Sequence, residues 1–176
     1  MAQQLKYLVI HCTATPEGRA VSAEEIRRWH TAPKAQGGRG WSQVGYTDMI
    51  HLDGRVERLV KNNEDAQVDP WEITNGATGY NSVSRHVVYV GGCARDGKTP
   101  KDTRTALQLE AMKKAYADGL HYITDPEHMR VAASVLLDDA YAERRRAEIT
   151  DQAQPPLHGD PQASGTVYIA TADGEG

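Results

Sequence analysis

The sequence lacks the features that mark membrane, disulfide-rich secreted and nucleic-acid-binding proteins. Two cysteines, Cys12 and Cys93, are too few for a disulfide framework in 176 residues. No apolar segment approaches the ~20 residues that span a bilayer, so we expect no membrane insertion. The net charge of -4 and the absence of a basic stripe with interleaved aromatics predict no nucleic-acid partner.

We expect no signal peptide, because residues 1–6 are polar and the first predicted strand follows at once. We therefore expect synthesis in the cytoplasm without a signal peptide, and action elsewhere only after release or export. The length suits one domain, which we place at residues 1–149. Residues 150–176 carry several prolines and glycines and few large apolar residues, which predicts a flexible tail.

The apolar run Tyr7–Ile10 leads directly into His11 and predicts a buried strand. His11 would lie where this strand emerges, facing a cleft. Cys12 follows it and is expected to be a small packed residue.

Helices and further strands alternate along the chain. Capping boxes at Ser22 with Glu25 and at Thr105 with Gln108 open helices over 21–30 and 105–119, and an apolar stripe of Leu109, Met112 and Tyr116 predicts the buried face of the second. Residues 45–52 and 55–60 predict a hairpin about Asp53-Gly54. The pattern continues with a long irregular loop at 61–80, a central strand at 83–92, the start of a strand at 129–131 and a helix at 135–149. This order of elements predicts an α/β fold with a mixed central β-sheet flanked by helices.

Five segments resemble, in order, the zinc-dependent N-acetylmuramoyl-L-alanine amidases of the phage-lysozyme and peptidoglycan-recognition type, also called amidase type 2. They are VIHCTAT (9–15), EEIRRWH (24–30), GWSQVGYTDMIHLDGRVE (40–57), ITNGATGYNSVSRHVVYVGG (73–92) and KDTRTALQ (101–108). The resemblance implies a peptidoglycan-recognition/amidase-like fold. It also implies a bacteriolytic endolysin of a phage or prophage, or a cell-wall recycling enzyme.

The same resemblance implies a function and a site. The reaction would be zinc-dependent hydrolysis of the amide between N-acetylmuramic acid and L-alanine in peptidoglycan, by a monomer. His11 matches the family's first metal ligand, and Tyr46 matches the tyrosine that assists catalysis. Zn²⁺ would lower the pKa of a bound water to ~7 and polarise the scissile carbonyl.

The chain departs from the family after residue 130. Ala133-Ser134 stands where a Gly-His pair would supply the second ligand, no cysteine follows Cys93, and the usual lysine is missing. A catalytic zinc site normally uses three protein ligands. None of His121, His128 and His158 has the ligand spacing. His128 is considered as a replacement ligand, but a surface histidine in the turn is its favoured interpretation.

Four other residues near the expected site have a structural interpretation as well as a functional one. His30 and His51 are expected to pack or cap. Asp48 is either an orienting carboxylate or a solvated strand residue. His86 either packs in the sheet or faces the groove, and the sequence leaves this open.

Two alternatives to the amidase remain. A peptidoglycan-binding module without the metal would use the aromatic and amide side chains of Tyr46, Trp41, Trp71, Asn75 and Tyr80. Trp71 is equally expected simply to pack its loop. A cysteine hydrolase using Cys12 with His11 is disfavoured, because adjacent strand residues point to opposite faces. A divergent, recombined or frame-shifted end after Ala132 would explain why the resemblance stops.

Overall fold

A computed structural model describes residues 1–63, 65–124, 126–136, 138–150 and 152–162. Its strands are β1 (Gln3–Gln4), β2 (Tyr7–Cys12), β3 (Thr15–Pro16), β4 (Asp48–Ile50), β5 (Val56–Arg58), β6 (Gln67–Val68), β7 (Ser84–Tyr89) and β8 (Gly92–Cys93). Its helices are α1 (Ala23–Thr31), α2 (Ala106–Tyr122), α3 (Ala133–Leu136) and α4 (Asp139–Ala147), with short 3₁₀ turns at Lys34–Gln36, Asn81–Val83 and Pro126–His128.

The central sheet has four strands in the order β2-β7-β4-β5. β7 runs parallel to both β2 and β4, whereas β4 and β5 are antiparallel. The predicted mixed sheet with helices is therefore confirmed. β7 lies inside the sheet, as its apolar run predicted, and residues 51–55 connect the predicted β4–β5 hairpin with Gly54 at φ 80°.

α1 begins and ends close to the predicted positions. The hydroxyl of Ser22 accepts a hydrogen bond from the Glu25 backbone N–H, and the Glu25 carboxylate accepts from the Ser22 N–H. Ile26 then enters a core with the sheet residues Met49 and Val88. The capping box thus fixes the start of the helix, and the single apolar stripe fixes which face it buries.

β2 is an edge strand, and its predicted burial is wrong. Leu8 is 67% and Ile10 is 56% exposed on the sheet face that they share, and β2 pairs with β7 alone among the described strands. An apolar run marks a strand, but it does not say whether both of its faces are covered.

α2 buries the face opposite to the predicted one. The predicted stripe residues Leu109 and Tyr116 are exposed, whereas its buried residues are mainly polar: Gln108, Glu110, Lys114, Ala117 and Asp118. Gln108 donates to the backbone carbonyls of Ile50 and Val90 at the ends of two sheet strands. α2 also continues three residues beyond the predicted end at Gly119.

Residues 138–162 explain why α2 buries charge. The Asp118 carboxylate accepts hydrogen bonds from Tyr141 Oη at 2.8 Å, Arg145 Nε at 2.9 Å and the Gly159 backbone N–H at 2.7 Å. Arg145 in turn donates to the Leu157 carbonyl. The buried face of α2 is therefore matched by ionic and backbone partners rather than by apolar side chains.

Two more predictions are wrong around residue 130. The described residues 129–131 form no strand, and the predicted helix at 135–149 is two short helices, α3 and α4. Of the predicted tail, residues 152–162 lie against α2 and α4, while 151 and 163–176 lie outside the described residues. The division at residue 149 stays a prediction. Among the described helices, none is long and apolar enough to cross a membrane.

Candidate functional site

His11 lies on β2 directly beside His86 of β7. The parallel register places Val9 opposite His86, so His11, two residues further on, shares its face of the sheet. His11 Nε2 and His86 Nδ1 are 3.0 Å apart and hydrogen-bonded. His86 therefore does both things that the sequence left open: its ring is fully buried in the sheet, and it faces the site, where it contacts His11.

A glycine in the long loop makes room for the His86 ring. A Cβ on Gly76 would lie 2.4 Å from His86 Nδ1 and 2.7 Å from the Gly45 carbonyl oxygen. The Asn75-Gly76 turn therefore closes directly over the imidazole, and a larger residue would displace it. On its far side, His86 Nε2 is buried without a hydrogen-bond partner among the described residues.

Tyr46 reaches the same place from the segment before β4. Its ring centroid lies 5.2 Å from that of His11 and 5.1 Å from that of His30. Trp41 lies 4.9 Å beyond His30. We call the five rings, Trp41, His30, Tyr46, His11 and His86, the aromatic row.

Backbone packing holds the middle of the aromatic row. The Gly45 N–H donates to His30 Nδ1 at 3.1 Å, and a Cβ on Gly45 would come within 3.2 Å of both His30 and Trp41. The Gly-Tyr motif therefore has a packing reason. The glycine lets the backbone approach His30, and the tyrosine follows into the row.

Burial keeps the row uncharged at neutral pH. It lowers the pKa of His11, and it lowers the pKa of His86 to about 4 with a smaller contribution from His11. It likewise lowers the pKa of His30 to about 4, with a contribution from Arg39. Burial raises the pKa of the Tyr46 hydroxyl, as does Cys12 to a lesser extent. The five rings therefore offer neutral hydrogen-bonding groups and ring faces, and a fixed positive charge, the Arg39 guanidinium, lies 5.0 Å over the Trp41 end of the row.

The remaining candidate residues have other partners. His51 pairs with Glu57 at 2.8 Å, and Asp48 pairs with Arg58 at 3.3 Å. His121 stacks on His158 at 3.5 Å in an exposed position, and His128 is exposed on its 3₁₀ turn.

The chain is similar in sequence to endolysins of several phages. It is 33% identical over 111 residues to the endolysin of Klebsiella phage KP32, a match that covers 63% of this chain and 64% of the relative. It is 36% identical over 106 residues to the endolysin of Escherichia phage T7, which covers 60% of each. The chain is therefore similar to phage endolysins over part of its length. The matches span about three fifths of the length of these endolysins.

Comparisons of structure and of family models add two further findings. The Drosophila peptidoglycan recognition protein LB aligns with a TM-score of 0.46 and 22% identity, over 72% of this chain and 69% of its own. A family model for gamma-glutamyltranspeptidase matches residues 92–176, just under half of the chain.

The zinc site expected of an endolysin of this type does not fit the described residues. They contain no group of three histidine, cysteine, aspartate or glutamate side chains able to hold a metal ion. All seven histidines and both cysteines lie within the described part. His11 Nε2 is hydrogen-bonded to the imidazole of His86, and three protein ligands are the usual requirement for catalytic zinc. The role of His11 as a metal ligand and the catalytic role of Tyr46 stay predictions.

Cys12 has neighbours other than His11. A Cβ on Gly92 would lie 2.4 Å from Cys12 Sγ. Burial raises the pKa of Tyr89, and Cys12 adds to this through its charge and as the acceptor of a hydrogen bond from the Tyr89 hydroxyl. The imidazole of His11 instead contacts His86 and Tyr46. No described contact joins the two as a nucleophile and its base.

A separate cavity lies between the start of α1 and the β4–β5 hairpin. Its volume is about 540 Å³, and its wall includes His51, Arg55 and Glu57. Neither His11 nor Tyr46 lines it. Experiments on ligand binding must therefore distinguish this cavity from the aromatic row.

His11 and Tyr46 lie together, as the sequence predicted. His86 and His30 also lie there, which the sequence did not predict. The signal for His30 was its position in the matching EEIRRWH segment. For His86 the signals were its position in the matching segment 73–92 and the Asn75-Gly76 turn, whose glycine covers the ring.

Proposed function

We propose that this chain recognises the muramoyl-peptide unit of bacterial peptidoglycan at the aromatic row. The phage endolysins to which it is related support the class of partner. The observation that carries the proposal is the hydrogen bond between His11 Nε2 and His86 Nδ1. This bond places two hydrogen-bonding rings beside each other at the site. The described residues supply no set of three metal ligands there.

The side chains around the site suit a neutral sugar and an amide. Tyr46 and Trp41 are partly exposed, and each offers a ring face together with a polar edge. Trp71 and Tyr80 are more than half exposed on the long loop at 61–80, and Tyr80 packs on Tyr7 at the opposite end of β2 from His11. Exposed aromatic faces and neutral donors are the groups that bind saccharides and peptides without a metal.

Binding to purified sacculi and to a soluble N-acetylmuramoyl-L-alanyl-D-isoglutamine tests this function. We expect the chain to sediment with sacculi, and Tyr46→Phe to weaken binding of the soluble probe about threefold to tenfold, the value of one hydrogen bond. His51→Ala, in the separate cavity, is the matched control and should bind as the unaltered chain does. Failure to sediment, or greater loss in His51→Ala than in Tyr46→Phe, contradicts binding at the aromatic row.

Hydrolysis of the amide between N-acetylmuramic acid and L-alanine is the second candidate function. The endolysin relatives and the 5.2 Å approach of Tyr46 to His11 favour it. Release of new alanine amino termini from sacculi, with added zinc or with a chelator, decides between the two. Zinc-dependent release supports the amidase, and retention on sacculi without release supports recognition alone. Chelator-resistant release that disappears in Cys12→Ala would instead indicate the thiol route.

A further inference from the structure

The two imidazoles of His11 and His86 share one hydrogen at their contact. Their facing nitrogens are 3.0 Å apart, the usual length of a hydrogen bond to nitrogen, so one of them carries a proton and the other a lone pair. Which ring donates decides what His11 can offer on its other side.

The burial of His86 identifies the donor. Its ring is fully buried, its only described hydrogen bond is to His11, and its Nε2 has no partner among the described residues. A proton on Nε2 would be a buried donor without an acceptor, whereas a lone pair there would be a buried acceptor without a donor. With the proton on Nδ1, Nε2 keeps only a lone pair, and unpaired acceptors are the less rare kind of unsatisfied buried group.

We infer that His86 is a positioning residue that donates its Nδ1–H to His11 Nε2 and thereby fixes His11 as the tautomer with its proton on Nδ1. His11 is half-buried, and its Nδ1 has no partner within the described part of the chain. His11 therefore presents an N–H donor to a ligand. The group it recognises is an oxygen acceptor such as an amide carbonyl or a carboxylate.

The same hydrogen bond works against a metal ion at Nε2 of His11. An ion there would need the lone pair that accepts the His86 proton, and it would leave that buried N–H directed at a cation. The two nitrogens of imidazoles on one tetrahedral zinc would lie about 3.3 Å apart, given bonds of ~2.0–2.1 Å. Because this differs little from the observed separation, zinc titration is an essential part of the test.

Long-range ¹H–¹⁵N correlation spectra of the histidine-labelled full chain at neutral pH report the tautomer of each ring. We expect protonated Nδ1 and unprotonated Nε2 for both His11 and His86, with the resonances assigned by their loss in His11→Gln and His86→Asn. One equivalent of Zn²⁺ should leave both rings unchanged. A His86 ring protonated at Nε2, or stoichiometric zinc that shifts both rings, overturns the inference.

Two variants separate positioning from a structural role. His86→Asn keeps an N–H donor near the position of Nδ1 and should retain the His11 tautomer, whereas His86→Val removes the donor and should shift His11 toward a proton on Nε2. A backbone ¹H–¹⁵N spectrum verifies that each variant is folded. An unchanged His11 tautomer in folded His86→Val contradicts the inference.

Only the identity of the ligand rests on the proposed function. The expected tautomers with no binding to sacculi would refute the proposed function and leave the role of His86 intact. Binding to sacculi together with the opposite tautomers would support the proposed function and refute the role of His86.

Discussion

Asp118→Ala should detach residues 138–162 from α2. Its carboxylate is the common acceptor for Tyr141, Arg145 and Gly159, and the Arg145 side chain is only 9% exposed. Removing one partner of a buried ion pair leaves the other charge uncompensated, at a cost of about 3–5 kcal/mol. For a chain of this size, we expect Tm to fall by about 6–20 °C, given ~2–4 °C per kcal/mol.

Two comparison variants make this prediction specific. Tyr141→Phe removes one hydrogen bond to the same carboxylate and should cost about 1.5–3 kcal/mol. Asp139→Ala makes the same chemical change at an exposed position on α4 and should cost less than about 1 kcal/mol.

Urea unfolding and limited proteolysis are the measurements. In a double-mutant cycle, Asp118→Ala combined with Arg145→Ala should cost less than the sum of the two single changes, because neither then leaves a buried charge alone. Proteolysis of Asp118→Ala should cut first within 148–157. Equal stability of Asp118→Ala and Asp139→Ala would refute the claim that this carboxylate holds the segment in place.

Three further predictions follow from the site and the sheet. The pKa values of His30 and His86 are about 4 in the folded chain against an ordinary 6.5, so the unfolded chain takes up these protons at a higher pH than the folded chain does. The free energy of unfolding should therefore be greatest above pH ~6.5 and fall by about 3 kcal/mol per histidine as the pH approaches 4. Urea unfolding across this range measures it, and a pH-independent midpoint would contradict it. Gly76→Ala should cost about 1–3 kcal/mol in thermal unfolding, because its Cβ would overlap the His86 ring; no loss would show that the loop moves freely. Leu8→Lys on the open edge of β2 should lower light scattering in concentrated solution, and unchanged scattering would exclude association through that edge.

Local signals in the sequence predicted the starts of α1 and α2 and one turn of the sheet. The bonds of Ser22 with Glu25 and of Thr105 with Gln108 are formed by residues three apart, so they depend on nothing distant. Asp53-Gly54 is similarly local. The meeting of His11 and Tyr46 was predicted because the resemblance placed both at one site.

Long-range packing accounts for the errors. The exposed side of α2 looked apolar in isolation, but its polar side found partners some 20 to 40 residues further along the chain, at Tyr141, Arg145 and Gly159. The exposure of β2 depends on the strand order, which no single segment encodes.

The place of His86 was equally invisible in the sequence. It depends on a parallel register between strands separated by more than 70 residues, and a shift of one residue would turn the imidazole to the opposite face. Periodicity within one strand does not contain that information.

The contact between Trp41 and His30 provides an optical reporter of the site. An imidazolium quenches the fluorescence of an adjacent indole by accepting an electron from its excited state, and these two rings lie 4.9 Å apart. Trp41 emission should therefore dim as His30 takes up a proton, and it should brighten when a bound molecule excludes water from the rings. The other two tryptophans, Trp29 and Trp71, can be replaced by phenylalanine to isolate that signal without touching the histidines.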